Sequence, residues 1–375
     1  MKIRTFNRRR ILQGGVASGL ALAAPALIGR AGVASAQGAF AGEGLITVAW
    51  SGNYERIFAE QVTEPFNERY GTKVETVGGW DQMVAQIKAA PEDQPPFDLT
   101  IADEFTTSVG LAEGVFLETD RSAIADFGAV LPWFDAARGA AKPYGVPFGV
   151  GTLWMMAAKS SGIGARSWAG LWDERALGKV TLDEAAFYWD LCLPAILSGD
   201  MPGIDEVFGS PEAMEPLFAK LDALRIPKWY STGAELANLM LQDTAQLAMI
   251  YSADAYGFMQ DFGETHDIAV PDEGTAAYTS WFMKVRGTQH SDLSDLFMAY
   301  LLEQETQQRF ADHSTEAMSR GDIKPPAHWP DYPVGNQAFE ARYNLFSLAG
   351  WDAFGANWDA LAERMKTTIT RTTAG

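Results

Sequence analysis

The sequence predicts an α/β fold in two units, and three observations carry that expectation. Short β-branched runs alternate with helical stripes from residue 45 onward, a Pro- and Gly-punctuated segment near the middle turns into a strand, and the alternation then resumes. At 375 residues the chain has room for about two domains, and 47% hydrophobic positions suffice for packed cores.

The elements follow in order. Leu45-Ile46-Thr47-Val48-Ala49-Trp50 reads as a strand, Ser51-Gly52-Asn53 as a turn, and Ile57, Phe58, Val62 and Phe66 as the buried stripe of a helix that Gly71 stops. Residues 73–77 alternate as a second strand, Met83, Val84 and Ile87 mark a second helix, and residues 97–102 form a third strand before a short helix ending at Gly114. This rhythm implies a mostly parallel sheet with covered faces, in which ligands sit at the carboxyl ends of strands. Those ends are Trp50-Ser51-Gly52-Asn53-Tyr54 and Asp103-Glu104-Phe105. Residues 143–156 read as a crossover strand between lobes. Beyond it come strands near 179–182, 246–251, 268–270 and 281–285, a helix from about Asp183, a long amphipathic helix from about Leu293 to Phe310, a Pro-rich loop at 325–330, and helices over 339–348 and 357–369.

The first 36 residues differ in composition. They carry six basic side chains and no acid, so the remainder holds −25 where the whole chain holds −19. Arg8-Arg9-Arg10 precedes an uncharged Ala/Gly/Leu-rich run from Gly14 to Gly29, and Ala34-Ser35-Ala36 offers small residues before Gln37. That order matches a bacterial twin-arginine export signal cleaved near Ala36, and its apolar run is too short for a spanning helix. The expected product is a soluble periplasmic protein, residues 37–375.

Composition excludes several classes. One cysteine, Cys192, allows no internal disulfide and no cysteine cage for a metal. The acidic balance argues against nucleic acid and anionic lipid, both of which attract clustered Lys and Arg. His266, His290, His313 and His328 lack metal-ligand spacing, no Gly-x-Ser-x-Gly elbow or phosphate loop occurs, and Trp154 stands where Gly149-Val150-Gly151 would need a third glycine for a dinucleotide. No cofactor, no metal and no catalytic set is expected, which favours binding over catalysis.

The ordered set of segments resembles the spermidine/putrescine-type solute-binding proteins of ABC importers. It comprises the export signal, the strand followed by Trp-x-x-x-Tyr, then Phe97-Asp98-Leu99, Ser167-Trp168-Ala169-Gly170-Leu171-Trp172-Asp173, Ala248-Met249-Ile250-Tyr251-Ser252-Ala253-Asp254 and Val270-Pro271-Asp272-Glu273-Gly274. The resemblance covers about residues 45–315. It implies a type II periplasmic-binding-protein fold with crossover strands, a ligand in the interlobe cleft, and a permease and ATPase as membrane partners for a monomeric binding protein. The expected lobes are residues 37–149 with 267–315, and 150–266 with 316–375.

The family's polyamine grip combines aromatic walls with carboxylates, since aromatic faces attract cations and buried ammonium groups need charged acceptors. Carried over by position, Trp50 and Tyr54 match the first aromatic pair, with Ser51 between them. Asp103 falls at a family serine, Phe105 and Tyr251 and Tyr278 at wall aromatics, and Glu184 at a family aspartate. Two positions depart: Phe187 replaces a glutamate, and Ser280 replaces the aspartate that holds one amine. Asp103, Asp183 or Asp254 would then supply the missing charge, or the ligand has one cationic end. The expected ligand is a small cationic amine, a polyamine first and a quaternary ammonium compound such as choline or a betaine second. A secreted hydrolase on the same architecture and a sensor or chaperone module are the other readings. The candidate cleft residues include no Arg or Lys, which disfavours anionic solutes.

Overall fold

The computed structural model describes residues 38–374 apart from 81, 137, 185–187, 200, 202, 346 and 347. The export signal and Phe187 lie outside the described residues. The strands are β1 (Ile46–Trp50), β2 (Glu75–Gly79), β3 (Leu99–Ala102), β4 (Phe116–Leu117), β5 (Val146–Ala158), β6 (Val180–Thr181), β7 (Leu247–Tyr251), β8 (His266–Ala269), β9 (Thr275–Val285), β10 (Ala317–Met318) and β11 (Tyr343–Leu345). The helices that position the site and cores are α1 (Asn53–Phe58), which runs through a wide turn into α2 (Glu64–Tyr70), then α3 (Met83–Ala89), α4 (Glu104–Ala112), α5 (Tyr188–Leu197), α6 (Pro211–Leu221), α7 (Gly233–Leu241), α8 (Ser252–Phe262), α9 (Ser291–Leu301), α10 (Gln304–Ala311), α11 (Asn336–Arg342), α12 (Leu348–Ala356) and α13 (Trp358–Ala374). No helix among the described residues is long and apolar enough to cross a membrane.

One sheet runs β2-β1-β3-β9-β5-β7-β6. The pairs on either flank, β1 with β2 and β3 and β6 with β7, are parallel as the sequence rhythm predicts. The central strands are antiparallel, β3 and β5 each running against β9 and β7 running against β5. All thirteen residues of β5 are buried, which explains its unbroken apolar character. Its first half pairs with β9 through Thr152, and from Leu153 it pairs with β7 and β8. The crossover strand read from the sequence is therefore one long strand shared by two lobes.

Each lobe buries its own apolar face. Phe58 stacks on Phe282 at 4.9 Å and lies edge-on to Phe148, while Phe66 meets Phe297 at 4.9 Å in the first core. The second core gathers Leu153, Met155, Trp168, Phe208, Phe218, Trp351 and Phe354. Removing any one of these large side chains costs about 3–5 kcal/mol where the cavity does not collapse.

Three expected helices differ, two of them through tertiary hydrogen bonding. The single helix expected over 293–310 is broken at Leu302 and Glu303, where Gln307 Nε2 donates to the Leu301 carbonyl and Arg320 Nη1 to the Leu302 carbonyl, supplying donors for a helix end. The helix expected over 339–348 stops at Arg342, and Tyr343–Leu345 instead adds a parallel strand beside Thr275–Ala277 of β9. The helix expected from Asp183 is described over Tyr188–Leu197, while residues 182–184 are extended and exchange backbone hydrogen bonds with Tyr230.

The lobes meet at a polar node. Ser252, at the start of α8, accepts from the Thr152 N–H at 3.0 Å where β5 changes partners, and its hydroxyl donates to Glu316 Oε1 at 2.5 Å. The Thr315 hydroxyl donates to the Ser252 carbonyl. Burial pushes the Glu316 carboxyl from an ordinary 4.5 up to about 8. The folded state thus holds a proton that the unfolded chain releases near pH 4.5. This group's contribution therefore falls as pH rises between about 4.5 and 8, by up to about 1.4 kcal/mol per pH unit. Thermal melts from pH 5 to 8 should show wild type losing stability relative to Glu316→Gln as pH rises, and parallel curves would refute the buried proton.

Candidate functional site

Three strand ends of the first lobe converge on the cleft. β1 delivers Trp50, Ser51 and, after the loop at Gly52, Asn53; Gly52 has φ 96°, a left-handed geometry that favours glycine. Trp50 is fixed by its Nε1–H donating to Ser280 Oγ at 3.1 Å. Trp80, just past β2 and 46% exposed, stacks on the Trp50 ring with centroids 5.7 Å apart. Tyr278 of β9 stands edge-on to Trp50 at 6.4 Å. It lies over Gly151, its partner in register, where a Cβ would fall 2.1 Å from the Tyr278 ring. The glycine makes room for the aromatic corner.

β3 delivers Asp103, only 7% exposed, which caps α4 by accepting from the Thr106 N–H at 2.7 Å through Oδ1. Behind it Glu104 is fully buried and accepts from the Thr279 N–H at 3.2 Å and from the Thr279 hydroxyl. Burial raises its carboxyl to about 7, against the pull of the Thr279 hydrogen bonds. Glu104 is therefore largely neutral below that pH.

The second lobe contributes Tyr251 from the end of β7, one face of α8 through Asp254, Phe258 and Asp261, and the start of α7 from Tyr230 to Ala234. Thr232 caps α7 by accepting from the Glu235 N–H, and Glu235 accepts from the Ser231 N–H, a reciprocal pair that fixes this end. The two lobes touch where Asn53 Nδ2 donates to Asp254 Oδ1 at 2.7 Å. Burial raises the Asp254 carboxyl and the Asn53 hydrogen bond opposes it. Between these elements lies a cavity of about 940 Å³. Asp103, Asp183, Asp254 and Asp261 line it, and no Lys or Arg is among its described lining residues.

Six of the ten residues expected from the sequence line this cavity: Trp50, Ser51, Asp103, Tyr251, Asp254 and Tyr278. Four do not. Tyr54 points into the core against Phe58 and Phe310, because one residue of helix rotates the side chain about 100° from Asn53, which faces the cleft instead. Phe105 packs on Trp351 of α12 at 5.7 Å. Glu184 is exposed outside the lining, its N–H bonded to the Tyr230 carbonyl. Ser280 is buried beneath Trp50 as that ring's acceptor. Sequence reasoning missed Trp80, Tyr230 and Phe258. The strand-end rule applied to β2 points to Trp80, and the Asp254, Phe258, Asp261 spacing marks a helix face; Tyr230 carries no local signal.

A family profile described as "Bacterial extracellular solute-binding protein" matches residues 61–333. The chain is 25% identical over 289 residues to a gamma-aminobutyric acid-binding protein of Pseudomonas aeruginosa, covering 75% of this chain and 78% of the relative. Its fold is similar to that of a spermidine/putrescine ABC transporter substrate-binding protein from Streptococcus pneumoniae, with a TM-score of 0.68, 16% identity, and 88% and 99% of the two chains covered. An ABC transporter substrate-binding protein from Bradyrhizobium japonicum gives a TM-score of 0.69 at 17% identity, over 86% and 99% of the chains.

Ser280→Ala should leave the buried Trp50 Nε1–H without its acceptor and cost about 1–3 kcal/mol in urea unfolding. An unchanged midpoint would mean the indole finds another acceptor and Ser280 does not hold the ring.

Proposed function

The chain belongs to the bacterial extracellular solute-binding proteins, and we propose that it captures a small cationic amine, a polyamine first, in the interlobe cleft. The lobes would then present the loaded cleft to the permease and ATPase of an ABC importer. One observation carries the ligand class: four carboxylates and the Trp50, Trp80, Tyr278 corner line the cavity, with no cationic side chain among its described lining residues. Tryptophan faces attract ammonium groups and cover methylenes, and Asp103, largely removed from water, supplies a charged acceptor. Ser280 offers no carboxylate at the position where the polyamine binders have one, so Asp103 and Asp254 are the residues we assign to the amine.

A second reading has support of its own. The start of α7 lines the cavity, helix N-termini favour carboxylates, and a relative of this chain is named for gamma-aminobutyric acid. An ω-amino acid would set its ammonium at the aromatic corner and its carboxylate near Gly233. Asp254 opposes this, since its Oδ2 lies 3.7 Å from where a Cβ on Gly233 would stand. A ligand carboxylate there would meet a like charge.

Titration of the mature protein with spermidine, putrescine, choline, glycine betaine and gamma-aminobutyric acid, followed by tryptophan fluorescence and melting temperature, separates these readings. A polyamine at 100 times Kd should stabilise the fold by about 2.7 kcal/mol. Asp103→Asn, which keeps a capping oxygen, should weaken polyamine binding about ten-fold or more with little change in unfolding midpoint. A response to gamma-aminobutyric acid alone would replace the polyamine reading, and silence for all five would overturn both.

A further inference from the structure

The cavity lining follows α8 for most of its length. Ala253, Asp254, Gly257, Phe258 and Asp261 all face it, a spacing of three, four and seven residues that keeps one side of a helix turned to the same surface. At 1.5 Å per residue, Asp254 and Asp261 stand about 10 Å apart along the helix axis. Phe258 lies between them and offers an apolar surface to a methylene chain.

The two ends of this rail differ. Asp254 is tied by Asn53 of the opposite lobe, lies beside the start of α7 and is half-buried. Asp261 is exposed at the outer end and has no ion-pair or hydrogen-bond partner among the described residues. On the cationic-amine reading, on which this inference rests, we propose that Asp261 is a specificity-determining residue that holds the far end of an elongated amine, so that the cleft selects linear amines whose terminal cations lie about 10 Å apart over short diamines. With bonds near 1.5 Å, an extended four-carbon diamine spans only about 6 Å between nitrogens, whereas spermidine and α,ω-diaminooctane each span about 11 Å. The short diamine engages one end of α8. The long ones engage both.

Calorimetric titration of spermidine, putrescine and α,ω-diaminooctane tests this in wild type, Asp261→Asn and Glu264→Gln. Glu264 is an exposed acid just beyond α8 that does not line the cavity, and it controls for the general field of the surface. Asp261→Asn should weaken both long amines by about two- to five-fold, the contribution of a solvent-exposed ion pair, leave putrescine unchanged and narrow the preference of wild type for the long amines. Glu264→Gln should alter none of them. Equal weakening of all three amines by Asp261→Asn, or no weakening, would overturn the assignment while the amine reading stands. Diaminooctane behaving like putrescine would also overturn it, by assigning any spermidine preference to the middle nitrogen. Failure of every amine to bind wild type would remove the cationic-amine reading and this inference with it.

Discussion

The antiparallel pairing of β5 with β9 is the constraint on which the rest of the structure depends. These two strands are central to the sheet, both lobes hang from them, and their register sets the cleft floor by placing Gly151 against Tyr278 and Gly149 against Ser280. From that register follow the position of Tyr278 at the aromatic corner and of the Ser280 hydroxyl under Trp50. A one-residue slip would send both side chains to the opposite face. Close backbone approach at Gly151 and the hydrogen bond to Trp50 therefore pin the register from the ligand side.

The node at Ser252 ties that strand pair to α8. Its hydroxyl joins the Thr152 N–H, on the strand both lobes share, to Glu316, which lies just before β10 on the first lobe's side of β5. α8 starts at this point and carries Asp254, whose Oδ1 accepts from Asn53 of the opposite lobe. A neutral Glu316 suits such a place. A buried unpaired carboxylate would resist any rearrangement that altered its single hydrogen bond, while a protonated one costs far less to keep from water.

Much of the fold was legible because it rests on local signals. The β-branched runs at residues 46–50 and 99–102, the helix stop at Gly71 and the long apolar strand through Trp154 each depend on nearby residues. Elements decided by distant partners were not legible: the break at Leu302 needs Arg320 and Gln307, and β11 needs the free edge of β9. The site divides the same way. Trp50, Asp103 and Tyr251 follow from the rule that ligands gather at strand ends, whereas Tyr54 and Asn53 differ by one helical step that composition does not reveal. Position in a family motif likewise marked Ser280 as a contact when its environment makes it the support of one.

Net charge says little about the cleft, and the distribution of protons within it says more. Glu104 and Glu316 are acids by composition, but burial holds both largely neutral below about pH 7, where they add little field to the cavity. Asp103, Asp183, Asp254 and Asp261 are the carboxyl groups that line it. Asp254 has three demands on it: the Asn53 amide, the positive end of α7, and the incoming ligand. The first two orient its oxygens, and the Asn53 hydrogen bond opposes the rise that burial imposes on its carboxyl. On the cationic-amine proposal, a cation beside Asp254 would share that carboxylate with Asn53 and strengthen the contact between lobes, while an anion at the same place would compete with it. On that proposal the side chain that joins the lobes is also the one that would distinguish the sign of the ligand, and closure itself would be selective.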